Sequence, residues 1–212
     1  MADFDPKVPY NDLPELPPSL ELIETTELLK ACIPSRVALA ELKQAAELIP
    51  NAAGLVKALP LLEARARSEI EKIVTTTDKL FEYADIAEDK ADAATKEALR
   101  YRTALFEGSK MVKRGMLSTD MAIHICSTIK GIELDIRAES GTTLKSRMTG
   151  EVIYTPPEGQ KLLQQKLENW ADFMQNCVEV DPLVRMAVQH YQFEAIHPFS
   201  DGNGRTGRIL NI

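Results

Sequence analysis

The 212-residue chain has three cysteines, Cys32, Cys126 and Cys177, widely spaced and with no Cys-x-x-Cys pair. An odd count at such spacing supplies neither a disulfide framework nor a zinc-binding set, and it suits a reducing cytosol. No apolar run approaches the length needed to span a bilayer. Residues 1–18 are acidic and proline-rich where a signal peptide is basic and then apolar, so the expectation is that they are not a secretory leader. Positive charge is in deficit: 25 Lys and Arg against 32 Asp and Glu give a net charge of −7. That balance argues against broad nucleic-acid binding while leaving room for a local basic pocket. Internal repeats and low-complexity tracts are absent. What remains is 44% hydrophobic and 27% charged residues, the balance of a globular domain with a sizeable core. The expectation is a cytoplasmic protein with no membrane partner.

Along the chain, Pro6, Pro9, Pro14, Pro17 and Pro18 make residues 1–18 an extended arm, because proline removes backbone donors and blocks helix. From Ser19 to Glu139 the spacing of apolar residues predicts successive helices. One runs from Ser35 and stops at Pro50. A second starts near Pro60 and carries Leu61, Leu62, Ala66, Ile70 and Ile73. A third lies within the Ala-, Glu-, Lys- and Leu-rich stretch from Asp89 to Met111, and a fourth is capped by Ser118 and carries Ile123, Ile125 and Ile129. Residues 140–157 break the pattern, with β-branched residues around Thr149-Gly150 and then Pro156 and Pro157, which predicts a short hairpin. Helices resume from Gln160 to Asn176, and from a cap at Asp181 to about Ala195. The predicted fold class is mainly α with one small β-hairpin.

The informative segment spans His197 to Arg208. Gly202-Asn203-Gly204 predicts a tight turn feeding a helix, whose amide N–H groups form a concavity suited to phosphate. Arg205 and Arg208, three apart, share a helix face from which both can reach phosphate oxygens. Asp201 is a hard oxygen ligand placed to hold Mg²⁺ against those phosphates. His197 is the nearby side chain able to accept a proton from a hydroxyl near neutral pH. Each feature alone has an ordinary reading as a turn or a cap, and His124 and His190 are taken as such. Within twelve residues they make a set that a mere turn does not require.

This segment resembles the signature of the Fic family, His-Pro-Phe-x-Asp-Gly-Asn-Gly-Arg-x-x-Arg, at His197, Pro198, Phe199, Asp201, Gly202, Asn203, Gly204, Arg205 and Arg208. The stretch Gly150 to Gly159 is similar to the family's flap, and residues 19–100 resemble its N-terminal helical extension. The resemblance implies a Fic-type helical domain that acts as a protein adenylyltransferase. His197 would activate a Ser, Thr or Tyr hydroxyl of a target protein, or of the chain itself, for attack on the α-phosphate of ATP. Asp201 would hold Mg²⁺. Gly202, Asn203, Gly204, Arg205, Thr206, Gly207 and Arg208 would bind ATP, with Arg208 at the γ-phosphate and Phe199 anchoring the loop. Val152, Ile153, Tyr154 and Thr155 would hold the target segment by strand addition. Glycine at 204, where kinase-like relatives have lysine, implies AMP transfer. A homodimer is compatible with the resemblance.

Many relatives carry an inhibitory helix of pattern Ser/Thr-x-x-x-Glu-Gly/Asn. Glu71 aligns with its glutamate, with Arg67 and Lys72 standing at the two flanking pattern positions. Its implied role is to pair with Arg208 and exclude the γ-phosphate. The expected organisation is an arm at 1–18, a helical extension at 19–100 and a Fic core at 101–212, cut in or after the motif helix. Alternative readings are an inert ATP-binding or regulatory module, and a Fic enzyme that uses another nucleotide or removes AMP.

Overall fold

The computed structural model describes residues 4–49, 62 and 91–211, and within them the chain is mainly helical. The short α1 (Leu20–Ile23) leads into α2 (Thr26–Glu47), where the Thr25 side chain accepts a bond from the Leu28 N–H at 3.2 Å. That cap starts the helix nine residues before the predicted Ser35, and the chain continues through Pro34. Proline interrupts a helix by removing one donor. Here the interruption lies on a largely exposed helix, where water can satisfy the freed carbonyl. Ile23 and Cys32 pack with Val180 and Val184, and Arg36 pairs with Asp181 at 2.8 Å.

Helix α3 (Ala93–Lys113) is capped by Asp92, whose carboxylate accepts from the Thr95 N–H at 2.8 Å. It runs unbroken through residue 100, the boundary drawn from the sequence. Ser118 caps α4 (Thr119–Lys130), as its spacing predicted, and the helix ends at Gly131. Strands β1 (Leu144–Lys145) and β2 (Val152–Tyr154) pair antiparallel, Leu144 opposite Tyr154 and Lys145 opposite Val152, with an irregularity between. Helix α5 (Gln160–Asn176) has the predicted bounds. Asp181 caps α6 (Pro182–Ile196), with Pro182 in its first turn, and α7 (Asn203–Ile209) carries the second half of the motif.

Two cores share α4. On one side Ala122 and Cys126 meet Leu163, Leu167 and Trp170 of α5, Phe193 and Ile196 of α6, and Phe199. On the other, Met121, Ile125 and Ile129 meet Ala98, Leu99, Tyr101 and Ala104 of α3 and Ile209 of α7. Helix α7 therefore sits where α3, α4 and α6 converge.

The N-terminal arm is extended, as its prolines dictate, but it belongs to the core. Leu13 and Leu16 are buried beside α5. The Lys166 ammonium donates to the Leu13 carbonyl at 2.6 Å, and Asn169 exchanges two bonds with the Leu16 backbone. Gln192 donates to the Pro14 carbonyl at 2.7 Å. Side chains from α5 and α6 thus supply the partners that a proline-rich segment cannot find within itself.

Candidate active site

Helix α6 ends on His197, the only non-glycine at positive φ (50°) among the described residues. A left-handed L-residue costs on the order of 1–2 kcal/mol, so its surroundings must hold it. Arg137, 4% exposed, does so. Its Nε donates to the His197 carbonyl at 2.8 Å, and one terminal nitrogen donates to the carbonyls of Pro157 at 2.5 Å and Ile196 at 3.4 Å. Its backbone N–H donates to the Pro198 carbonyl at 2.9 Å. The last carbonyls of a helix lack internal partners, and a guanidinium supplies several donors in one plane. Bonds of this charged kind contribute about 1.5–3 kcal/mol each, enough to outweigh the strained turn. Burial lowers the Arg137 pKa, with Glu158 and Glu139 acting in the opposite direction. An arginine remains charged throughout.

From His197 the chain drops Phe199 into the core, its ring 6.2 Å from that of Phe193. The Asn203 side chain closes the loop by accepting from the Phe199 N–H at 2.9 Å and donating to its carbonyl at 2.7 Å. Gly202 adopts φ 90°, and a Cβ there would lie 3.0 Å from the Cys126 sulfur, so both conformation and space demand glycine. The Cys126 thiol donates to the Asp201 carbonyl at 3.4 Å, and burial pushes its pKa up to about 11, keeping it neutral. Gly202 caps α7 without a side-chain bond, and the first turn, Asn203 to Arg205, lines a cavity of about 420 Å³.

One wall of this cavity is the motif, from His197 and Ser200 through Arg205; the other is Glu97 of α3, Lys130 of α4 and Arg147 of the hairpin turn. Across it, Lys130 Nζ lies 2.6 Å from one Asp201 oxygen and 3.5 Å from Glu97. Arg205, 3% exposed, pairs with Glu97 and lies 3.7 Å from the other Asp201 oxygen. Burial acts to raise the Asp201 pKa, but the Lys130 bond and charge, the Gly202 N–H and His197 outweigh it and hold the carboxyl below its ordinary value. Burial also lowers the His197 pKa below 6.5; Arg137 adds to this, while the Glu194 carbonyl and Asp201 oppose it. Both shifts favour a neutral imidazole beside an ionised carboxylate.

The predicted set divides. His197, Asp201, Gly202, Asn203, Gly204 and Arg205 line the cavity together. Thr206 and Gly207, expected to touch ATP, are buried instead: Thr206 lies beside Cys126, and a Cβ at Gly207 would come 2.5 Å from the Glu194 carboxylate. Helical rotation turns these two toward the body. Arg208 is half-buried and outside the cavity lining. In the hairpin, Val152 and Tyr154 are half-buried and Ile153 is exposed. Thr155 departs from the expected target edge. It is buried, its carbonyl accepts from the Tyr10 N–H at 3.0 Å, and its hydroxyl donates to the Pro6 carbonyl at 2.7 Å. Glu71 and, Leu62 apart, the helix predicted to carry it lie outside the described residues. Glu97, Lys130, Arg137 and Arg147 went unread in the sequence. Lys130, last in its helix before Gly131, reads as a cation complementing the helix dipole.

Asp201 offers a hard carboxylate, 64% exposed and facing the cavity. Among the described residues there is no group of three or more His, Cys, Asp or Glu able to hold a metal. This donor set fits a magnesium ion that arrives with phosphates and retains water, rather than one caged by protein alone.

Two family models match the chain: "Fic/DOC family N-terminal" over residues 29–110 and "Fic/DOC family" over residues 117–212. The chain is 37% identical over 59 residues to the protein adenylyltransferase fic-1 of Caenorhabditis elegans, a match covering 27% of this chain and 11% of that protein. It is 28% identical over 136 residues to the protein adenylyltransferase Fic of Drosophila melanogaster, covering 56% of this chain and 27% of that protein. The matched segments thus span about a tenth to a quarter of the length of these curated relatives. Among solved structures, a Fic family protein from Desulfovibrio desulfuricans G20 superposes with a TM-score of 0.62 at 17% identity, covering 93% of this chain and 58% of that one. Fic-1 (residues 134–508) from C. elegans superposes with a TM-score of 0.58 at 16% identity, covering 89% of this chain and 58% of that one. The signature, the fold it sits in and the two adjoining family matches agree, and the chain belongs to the Fic/DOC family.

Proposed function

We propose that this chain transfers AMP from ATP to hydroxyl groups of proteins, itself included. The observation that carries the reading is the single cavity that joins His197, Asp201, Arg205 and the first turn of α7. In this reading the triphosphate lies against the α7 N–H groups. The neutral imidazole of His197 accepts the proton of a Ser, Thr or Tyr hydroxyl. The hydroxyl oxygen bonds to the α-phosphorus, the bond from that phosphorus to the bridging β-oxygen breaks, and pyrophosphate leaves. Magnesium held at Asp201 would offset charge on the phosphates. Arg205, paired with Glu97, keeps a positive charge in the site. The strand at Val152 to Tyr154 holds the target segment through backbone bonds. Glu71 restrains the reaction by competing for Arg208 with the γ-phosphate.

The similarity to proteins named protein adenylyltransferase supports the reaction class, and Gly204 supports transfer of the nucleotidyl over the γ-phosphoryl group. Incubation with ATP labelled at the α- or, separately, the γ-phosphate tests this. Protein should retain α-label and no γ-label, and ATP should outcompete UTP and CTP. Retention of γ-label would overturn the reading.

A further inference from the structure

Lys130 is a cation built into the nucleotide cavity from outside the motif. It is the last residue of α4, its carbonyl accepting from Arg100 at 3.2 Å. Its stem runs along the Gly202 turn, where a Cβ at 202 would meet its Cδ at 3.6 Å and its Cγ at 3.7 Å. The ammonium then stands between two carboxylates, 2.6 Å from Asp201 and 3.5 Å from Glu97, with only 24% of the side chain exposed.

We propose that Lys130 is a phosphate-binding residue of this site which, before nucleotide arrives, occupies the carboxylate of Asp201. An ammonium at hydrogen-bond distance opposes a divalent cation twice, by filling the oxygen's lone-pair region and by like-charge repulsion. The bare protein therefore takes up a divalent cation poorly. A triphosphate offers several anionic oxygens, and the three donors of an ammonium on a flexible stem can turn from Asp201 to them. The same movement frees Asp201 for the ion that accompanies the nucleotide. Cation and nucleotide thus enter together, and free Mg²⁺ does not pre-load the site. Arg205 also approaches Asp201, at 3.7 Å, but it is paired with Glu97, so Lys130, at 2.6 Å, is the cation that exchanges.

This inference rests on the cavity being a nucleotide site, and its test separates the two. Mn²⁺ binding without nucleotide is followed by electron paramagnetic resonance, and ATP binding in EDTA by calorimetry, in the 212-residue wild type, Lys130→Gln and Lys130→Arg. Circular dichroism melts establish that each variant is folded. A charged hydrogen bond of this kind corresponds to roughly tenfold or more in affinity. Lys130→Gln should bind Mn²⁺ at least about tenfold more tightly and metal-free ATP about tenfold more weakly. Lys130→Arg, keeping the charge, should retain ATP binding. Unchanged Mn²⁺ affinity in Lys130→Gln, or unchanged ATP affinity, overturns the proposal. If wild type binds no ATP with or without Mg²⁺, the nucleotide reading fails first, and the proposed phosphate role falls with it.

Discussion

Arg137 and His197 show how one residue sets the chemistry of another. The guanidinium fixes the carbonyl end of α6, so the imidazole leaves the helix in a left-handed turn with its ring half-buried over the cavity. Burial makes the neutral ring the resting form, and Arg137 reinforces it. Protonation in the folded state therefore occurs below 6.5, while the unfolded chain would take the proton near that value. Stability contributed by this histidine is present above 6.5 and is lost as pH falls through the folded pKa. In the proposed transfer the same shift sets the pH dependence. With Asp201 and Arg137 both charged through this range, the acid limb of kcat/KM for transfer to a protein acceptor should be centred below 6.5, measured between pH 5 and 8 with circular dichroism confirming the fold. An acid limb centred at or above 6.5 would show that the base is an unperturbed group. His197 and Asp201 were legible because their partners lie within a few residues. Arg137 and Lys130 were not, because nothing local distinguishes them from surface cations; only packing brings Pro157, Pro198 and Asp201 to them.

The hairpin and the helices around it differ in how far their sequence foretold them. Caps at Ser118 and Asp181, and the prolines that end the hairpin, act within one turn and were readable. The start of α2 was not, since Pro34 argues for a boundary that the Thr25 cap overrides. Thr155, placed on the target flap by the resemblance, is bonded to the arm, its hydroxyl donating to the Pro6 carbonyl and its carbonyl accepting from the Tyr10 N–H. The hairpin is fastened to α6 by the Tyr154 hydroxyl, which donates to the Ala195 carbonyl at 2.9 Å, two residues before His197. The Tyr154 ring also packs against Phe4 and Tyr10, 6.4 Å from each by centroid. Tyr154→Phe keeps the ring contacts and removes the bond. It should lower stability by about 0.5–1.5 kcal/mol and raise KM for a protein target several-fold, with ATP affinity unchanged. Thermal melts and two-substrate kinetics read these separately. An unchanged KM would mean that the position of the hairpin does not govern target binding.

At the scale of the whole molecule, the arm, the two cores and the motif form one mechanical frame. The arm ties β2, α5 and α6 together through backbone and side-chain bonds. The two cores meet across α4, and α7 lies where they join, so Glu97 and Lys130 face the motif from elements far away in sequence. That arrangement places an imidazole, a carboxylate and the first turn of α7 around one cavity, and the proposed transfer rests on it. Its most direct test is AMP incorporation from α-labelled ATP by three proteins: wild type, Glu71→Gly, and Glu71→Gly combined with His197→Ala. The Glu71→Gly protein should incorporate more label than wild type. Adding His197→Ala should reduce incorporation by about 10²–10⁴-fold while calorimetry shows ATP binding retained. Near-equal incorporation with and without His197, in proteins that bind ATP alike, would contradict the account.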